Sequence, residues 1–138
     1  MGGRGSYLSQ GGFTKQEYET VEEINGIKVI EFIDKRKKHN TPFHSNTSNI
    51  YATYDEKKHL KQITVYENRQ KAKDIEWNHN HDDFKKGEIH VQEYDKSGNR
   101  LKTARNPTKE ELSLVRRLNL KVKLNKNNKY EVINEDKS

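Results

Sequence analysis

The sequence predicts an α+β fold: an antiparallel β-sheet of about five or six strands, built from two hairpins, with one C-terminal helix packed on a face. Three observations predict it. Asn25-Gly26 sits between two runs rich in β-branched residues. Ile50, Ala52 and Tyr54 alternate on one segment, and Ile63 and Val65 on the next. Thr108-Lys109-Glu110-Glu111 stands immediately before a leucine and valine stripe.

Taken in order, "MGGRGSYLSQGGF" holds five of the eight glycines and reads as a flexible leader over residues 1–14. It lacks the spacing of a phosphate-binding loop. In "YETVEEINGIKVIEF", Asn25 and Gly26 both tolerate positive φ, which suits the centre of a type I′ turn. Residues 18–24 and 27–33 then pair as a hairpin. "DKRKKHNTPFHSNTS" is a polar loop with Pro42 near its middle and a basic run of Lys35, Arg36, Lys37 and Lys38. A solvated loop and a phosphate-contacting patch are both open for that run.

"NIYATYDEKKHLKQITVYE" predicts the second hairpin, with Asp55 to His59 as its turn. "KAKDIEW" adds a strand with Ile75 and Trp77 on one face. "EIHVQEY" adds another, with Ile89 and Val91 on one face and His90, Gln92 and Tyr94 on the other; Gly98 closes it in a turn. In "NPTKEELSLVRRLNL", Thr108 is the expected N-cap and Glu111 completes a capping box. Leu112, Val115 and Leu118 form the helical stripe, and Arg116 and Arg117 occupy the C-terminal end, where the helix dipole favours cations. Residues 15–120 thus form a single domain. Residues 121–138 add a short strand near Tyr130 to Ile133, or a disordered basic tail.

The composition narrows the function. Only 29% of residues are hydrophobic and 35% are charged, so the core is small and Trp77 should be a principal member of it. The net charge of +6 favours an anionic partner, nucleic acid or the surface of a nucleoprotein or nuclease. The chain has no cysteine, which excludes disulfides, thiol nucleophiles and cysteine-based metal sites. No apolar run approaches the ~20 residues of a membrane helix, and no apolar segment follows Met1. A cytoplasmic protein with no membrane partner is expected.

"DIEWNHNHDDFKKGEIHVQEYD" concentrates His79, His81 and His90. Histidine titrates near neutrality, so these are the candidate catalytic residues for acid–base cleavage of RNA. Lys85 and Lys86 are candidates to stabilise phosphate charge. The His79-x-His81 pair also fits metal ligation, with His90 as third ligand and Asp82 or Asp83 as carboxylate. A plain polar loop is the third reading. Strict alternation opposes a cluster: if Ile75, Trp77, Ile89 and Val91 share a core face, His90 points away from His79 and His81. No metal and no other cofactor is therefore assigned from the sequence.

"GGRGS", "IYATYDEKKHLKQITVYENRQKAKDIEWNHNHDD", "HVQEYDKSGNR" and "PTKEELSLVRRL" together resemble small proteins of Gram-positive phages and prophages, encoded beside or fused behind Mu-type head-morphogenesis proteins. The resemblance spans most of residues 2–118. In that group the histidine segment tends to end in Pro-His-x-His; here Ile89-His90-Val91-Gln92 keeps the first histidine alone. The resemblance implies a phage context and a suspected toxin domain with nuclease activity. Two functions follow as expectations. One is an RNase-like domain acting on nucleic acid in the bacterial host through His79, His81 and His90. Its phosphates would be held by Lys35, Arg36, Lys37, Lys38, Lys85, Lys86, Arg116 and Arg117. The other is a non-enzymatic, anti-CRISPR-like blocker of a host defence nuclease, working through the same charged surface.

Overall fold

The computed structural model describes residues 18–33, 41, 49–81, 83–101 and 103–133. A six-stranded sheet runs in spatial order β1 (Tyr18–Ile24), β2 (Ile27–Phe32), β3 (Ile50–Tyr54), β4 (Leu60–Glu67), β5 (Gln70–Glu76) and β6 (His90–Glu93). Helix α1 (Lys109–Arg117) follows, then a separate hairpin of β7 (Lys121–Leu124) and β8 (Tyr130–Ile133).

Local turn chemistry builds most of this. Asn25 and Gly26 take φ of 47° and 86°, so the expected turn joins β1 to β2. Asp55 closes the β3–β4 turn by accepting hydrogen bonds from the Lys57 and His59 amides. Asn68 and Arg69, both at positive φ, turn β4 into β5. Four of the five pairings are antiparallel as expected; β2 and β3 pair in parallel. A parallel neighbour needs a long connection rather than a tight turn, and the sequence between residues 33 and 49 is long enough to allow one.

The two faces of the sheet differ. One carries Ile27, Val29, Ala52, Ile63, Val65, Ile75 and Val91, and α1 covers it with Leu112, Val115 and Leu118. Trp77 lies in this core at 5% exposure, its ring Nε1 donating to the Leu60 carbonyl at 3.0 Å. The capping box fixes the start of α1: the Glu111 amide donates to Thr108 Oγ1, and the Thr108 amide to Glu111 Oε1. Glu111 also accepts from Lys73 and Arg105, which pins the helix to β5.

The other face is aromatic toward β1–β4, where Tyr18, Ile30, Phe32, Tyr51 and Tyr66 cluster. Toward β5 and β6 it turns polar: Gln62, Thr64, Asp74, Glu76, His90 and Gln92 are all buried. There Asp74 accepts from Thr64 and Tyr94 at 2.7 and 2.8 Å, and burial pushes its carboxyl above the usual range. Residues 121–133 contain more than the single expected strand. β8 pairs with β7, and Val122, Tyr130 and Val132 pack on the main core. The leader and residues 134–138 lie outside the described residues.

Candidate functional site

The site begins with a strand pairing. Glu76 and His90 are register partners across β5 and β6, on the face opposite Ile75 and Val91. Alternation aims both side chains into the polar half of the sheet. His90 is fully buried, and Glu76 is 8% exposed.

β5 ends at Glu76, and residues 77–81 leave the extended path. Trp77 stays with the core while a bend turns the following residues round the end of the sheet. A tight turn then returns the chain: the His81 amide donates to the Phe84 carbonyl, and the Phe84 amide to the His81 carbonyl. The Lys86 amide donates to Asn80 Oδ1, and the Gly87 amide to the Trp77 carbonyl, which ties down both ends of the bend.

The expectation that His90 points away from His79 and His81 is therefore wrong. It assumed an extended chain through residue 81. The bend carries His79 and His81 to the face that His90 already occupies. Ring centroids lie 5.3 Å apart for His79 and His90, 5.3 Å for His81 and His90, and 6.0 Å for His79 and His81. Phe84 stacks on His90 at 5.2 Å and walls the far side.

Among the described residues Glu76, and not Asp83, supplies the carboxylate; Asp82 lies outside them. Its Oε1 lies 3.2 Å from His79 Nε2 and 3.4 Å from His90 Nε2. One donor atom from each of Glu76, His79, His81 and His90 falls within 4.8 Å of every other. Burial alone would raise the Glu76 carboxyl, but His90, His79 and His81 outweigh it and hold the group below its ordinary range. Burial lowers His79; Glu76 opposes this, and His90 and His81 add to it. The result favours neutral imidazole at His79 and ionised carboxylate at Glu76. The group can thus accept protons, or act as a ligand set of three imidazoles and one carboxylate.

The sequence signal for Glu76 is its place in Glu76-Trp77-Asn78-His79-Asn80-His81. It is also the strand residue beside Ile75 that must face away from the core. Two further supports were not anticipated. The Glu88 carbonyl lies 3.1 Å from His90 Nδ1, and Asn78 Oδ1 lies 3.1 Å from His79 Nδ1.

Lys85 and Lys86 are exposed on the loop beside the cluster. Arg116 is exposed at the end of α1, and Arg117 donates to the Asn25 carbonyl at 2.7 Å, bracing the first hairpin turn. The basic run at residues 35–38 lies outside the described residues. Among the described residues, no helix is long and apolar enough to cross a membrane. No family model, no curated protein and no solved structure matches the chain.

Proposed function

We propose that the protein acts on nucleic acid and cleaves phosphodiester bonds at the Glu76, His79, His81 and His90 cluster. The observation that carries this reading is the 3.2 Å contact between the buried Glu76 carboxylate and the half-exposed His79 imidazole, with His81 beside it. An imidazole held below its ordinary range is available to remove a proton from an attacking hydroxyl or water, and a carboxylate 3.2 Å away favours the imidazolium that then forms. A second histidine within reach suits return of a proton to the leaving oxygen. Exposed Lys85 and Lys86 lie on the connecting loop, where they suit phosphate charge. The net charge of +6 supports a polyanionic substrate, and the phage-like sequence features agree with a host nucleic acid met in the bacterial cytoplasm.

The test is cleavage of labelled single-stranded RNA and DNA by the full chain, with His79→Ala and His81→Ala alongside. Loss of a general acid or base removes ~10²–10⁴-fold of rate, and both variants should fold, because both histidines lie in a surface bend. Nucleic-acid binding without cleavage, unchanged by either substitution, would favour the non-enzymatic blocker instead.

A further inference from the structure

We infer that Glu76, His79, His81 and His90 form a binding site for one divalent transition-metal ion, with Zn²⁺ as the best-matched ion. This goes beyond the phosphodiesterase reading by naming a cofactor, and it stands on geometry whether or not that reading holds.

The case begins with the imidazole protons. The Glu88 carbonyl can only accept a hydrogen bond, so the His90 Nδ1 that faces it carries a proton. His79 Nδ1 faces Asn78 Oδ1 in the same way. Where each ring holds a single proton its Nε2 is a bare lone pair, and the two lie 3.2 and 3.4 Å from Glu76 Oε1. Acceptors at 3.2 and 3.4 Å repel unless a proton or a metal ion lies between them. Among the described residues, neither His90 Nε2 nor Glu76 Oε1 has a hydrogen-bond partner, although both atoms are buried. Unsatisfied buried polar atoms are rare and costly, and two meeting at one point mark a ligand position.

The donor set names the ion class. Three imidazoles and one carboxylate, with no thiolate, suit a first-row divalent ion rather than Mg²⁺ or Ca²⁺, which prefer all-oxygen shells. Tetrahedral donors on bonds of ~2.0–2.1 Å lie roughly 3.4 Å apart, so the observed spread within 4.8 Å needs only a small contraction. Glu88 and Asn78 hold the ring tautomers as outer partners of metal-bound histidines do. With an ion seated, His79 would serve as a ligand, and the ion would supply the activation of an attacking water.

Metal-stripped full-length protein is titrated with Zn²⁺ by calorimetry, without nucleic acid, and melting is followed with and without the ion. One Zn²⁺ per chain and a raised melting temperature are expected. Co²⁺ should give the intense visible absorption of a four-coordinate site. Glu76→Gln, His79→Ala and His81→Ala should each weaken Zn²⁺ binding by at least ~10-fold, because loss of outer partners alone has that effect. His59→Ala, at an exposed histidine in the β3–β4 turn outside the cluster, should leave affinity within a few fold. Absence of binding, or binding unchanged in all three ligand variants, overturns the inference. The second outcome would point to His39, His44 or His59. Zn²⁺ bound without any cleavage sinks the phosphodiesterase reading while the metal site stands.

Discussion

At the scale of single residues, two side chains join the sheet to the rest of the molecule. Trp77 fills the core where β5 gives way to the histidine bend, and its Nε1 is satisfied by the Leu60 carbonyl. Trp77→Ala removes a buried ring worth ~3–5 kcal/mol, and in so small a core it should leave the chain largely unfolded by circular dichroism at 25 °C. Melting within a few degrees of the parent would contradict that placement. Glu111 carries the opposite kind of burden. Burial alone would raise its carboxyl; Arg105, Lys73 and the Thr108 amide outweigh this and hold it at about 2. The folded value lies below the unfolded one, so the unfolded chain binds more protons as pH falls. The stabilisation is complete above pH about 4.5 and is lost as pH falls toward about 2; it is on the order of 3 kcal/mol. Glu111→Gln should melt at lower temperature at pH 7 and show a flatter acid limb in that window. An unchanged acid limb would assign acid sensitivity to another carboxylate.

At the scale of elements, what the sequence disclosed was whatever a few adjacent residues encode. Asn25-Gly26, Asp55 with its following amides, and Thr108 with Glu111 each make a local device, and each appears where the residues predict it. The parallel partnership of β2 and β3 has no local signature, because only the chain between them decides which edge is met. β7 escaped notice because "KVKL" is short and basic, and it becomes a strand through its pairing with β8. The site divides the same way. The histidines are conspicuous in the sequence, whereas Glu76 joins them through a register contact with His90 across two strands. The alternation rule that argued against the cluster in fact aims Glu76 and His90 at each other; the failing step was extending β5 through His81. The first hairpin supplies an element-scale test. Gly26 has φ of 86°, and a Cβ there would meet the Arg117 guanidinium at 3.0 Å. Gly26→Ala should cost ~1–3 kcal/mol by urea denaturation. A neutral result would mean that the turn changes type and releases Arg117.

At the scale of the whole molecule, the charge and the site must act together if the substrate is a polyanion. A +6 net charge would attract nucleic acid without selecting a sequence, and each lysine or arginine that neutralised a phosphate would make binding more sensitive to salt. Lys85 and Lys86 project from the loop that carries the histidine turn, so phosphates bound there would lie next to Glu76, His79 and His81. Arg116 is exposed at the end of α1 rather than on that loop. Affinity for a single-stranded oligonucleotide, measured by fluorescence anisotropy over a range of salt concentrations, separates these contributions. The double substitution Lys85→Glu and Lys86→Glu should weaken binding and reduce the steepness of the log Kd against log salt plot by about one to two phosphate contacts, at ~0.7 per contact for a single strand. Arg116→Glu should change affinity less and leave cleavage of bound strand untouched. His79→Ala should leave the salt slope unaltered, since a neutral imidazole releases no counterion. If the loop lysines change neither affinity nor slope while Arg116 changes both, the nucleic acid lies on the helix end, and the histidine cluster is not where it is cut.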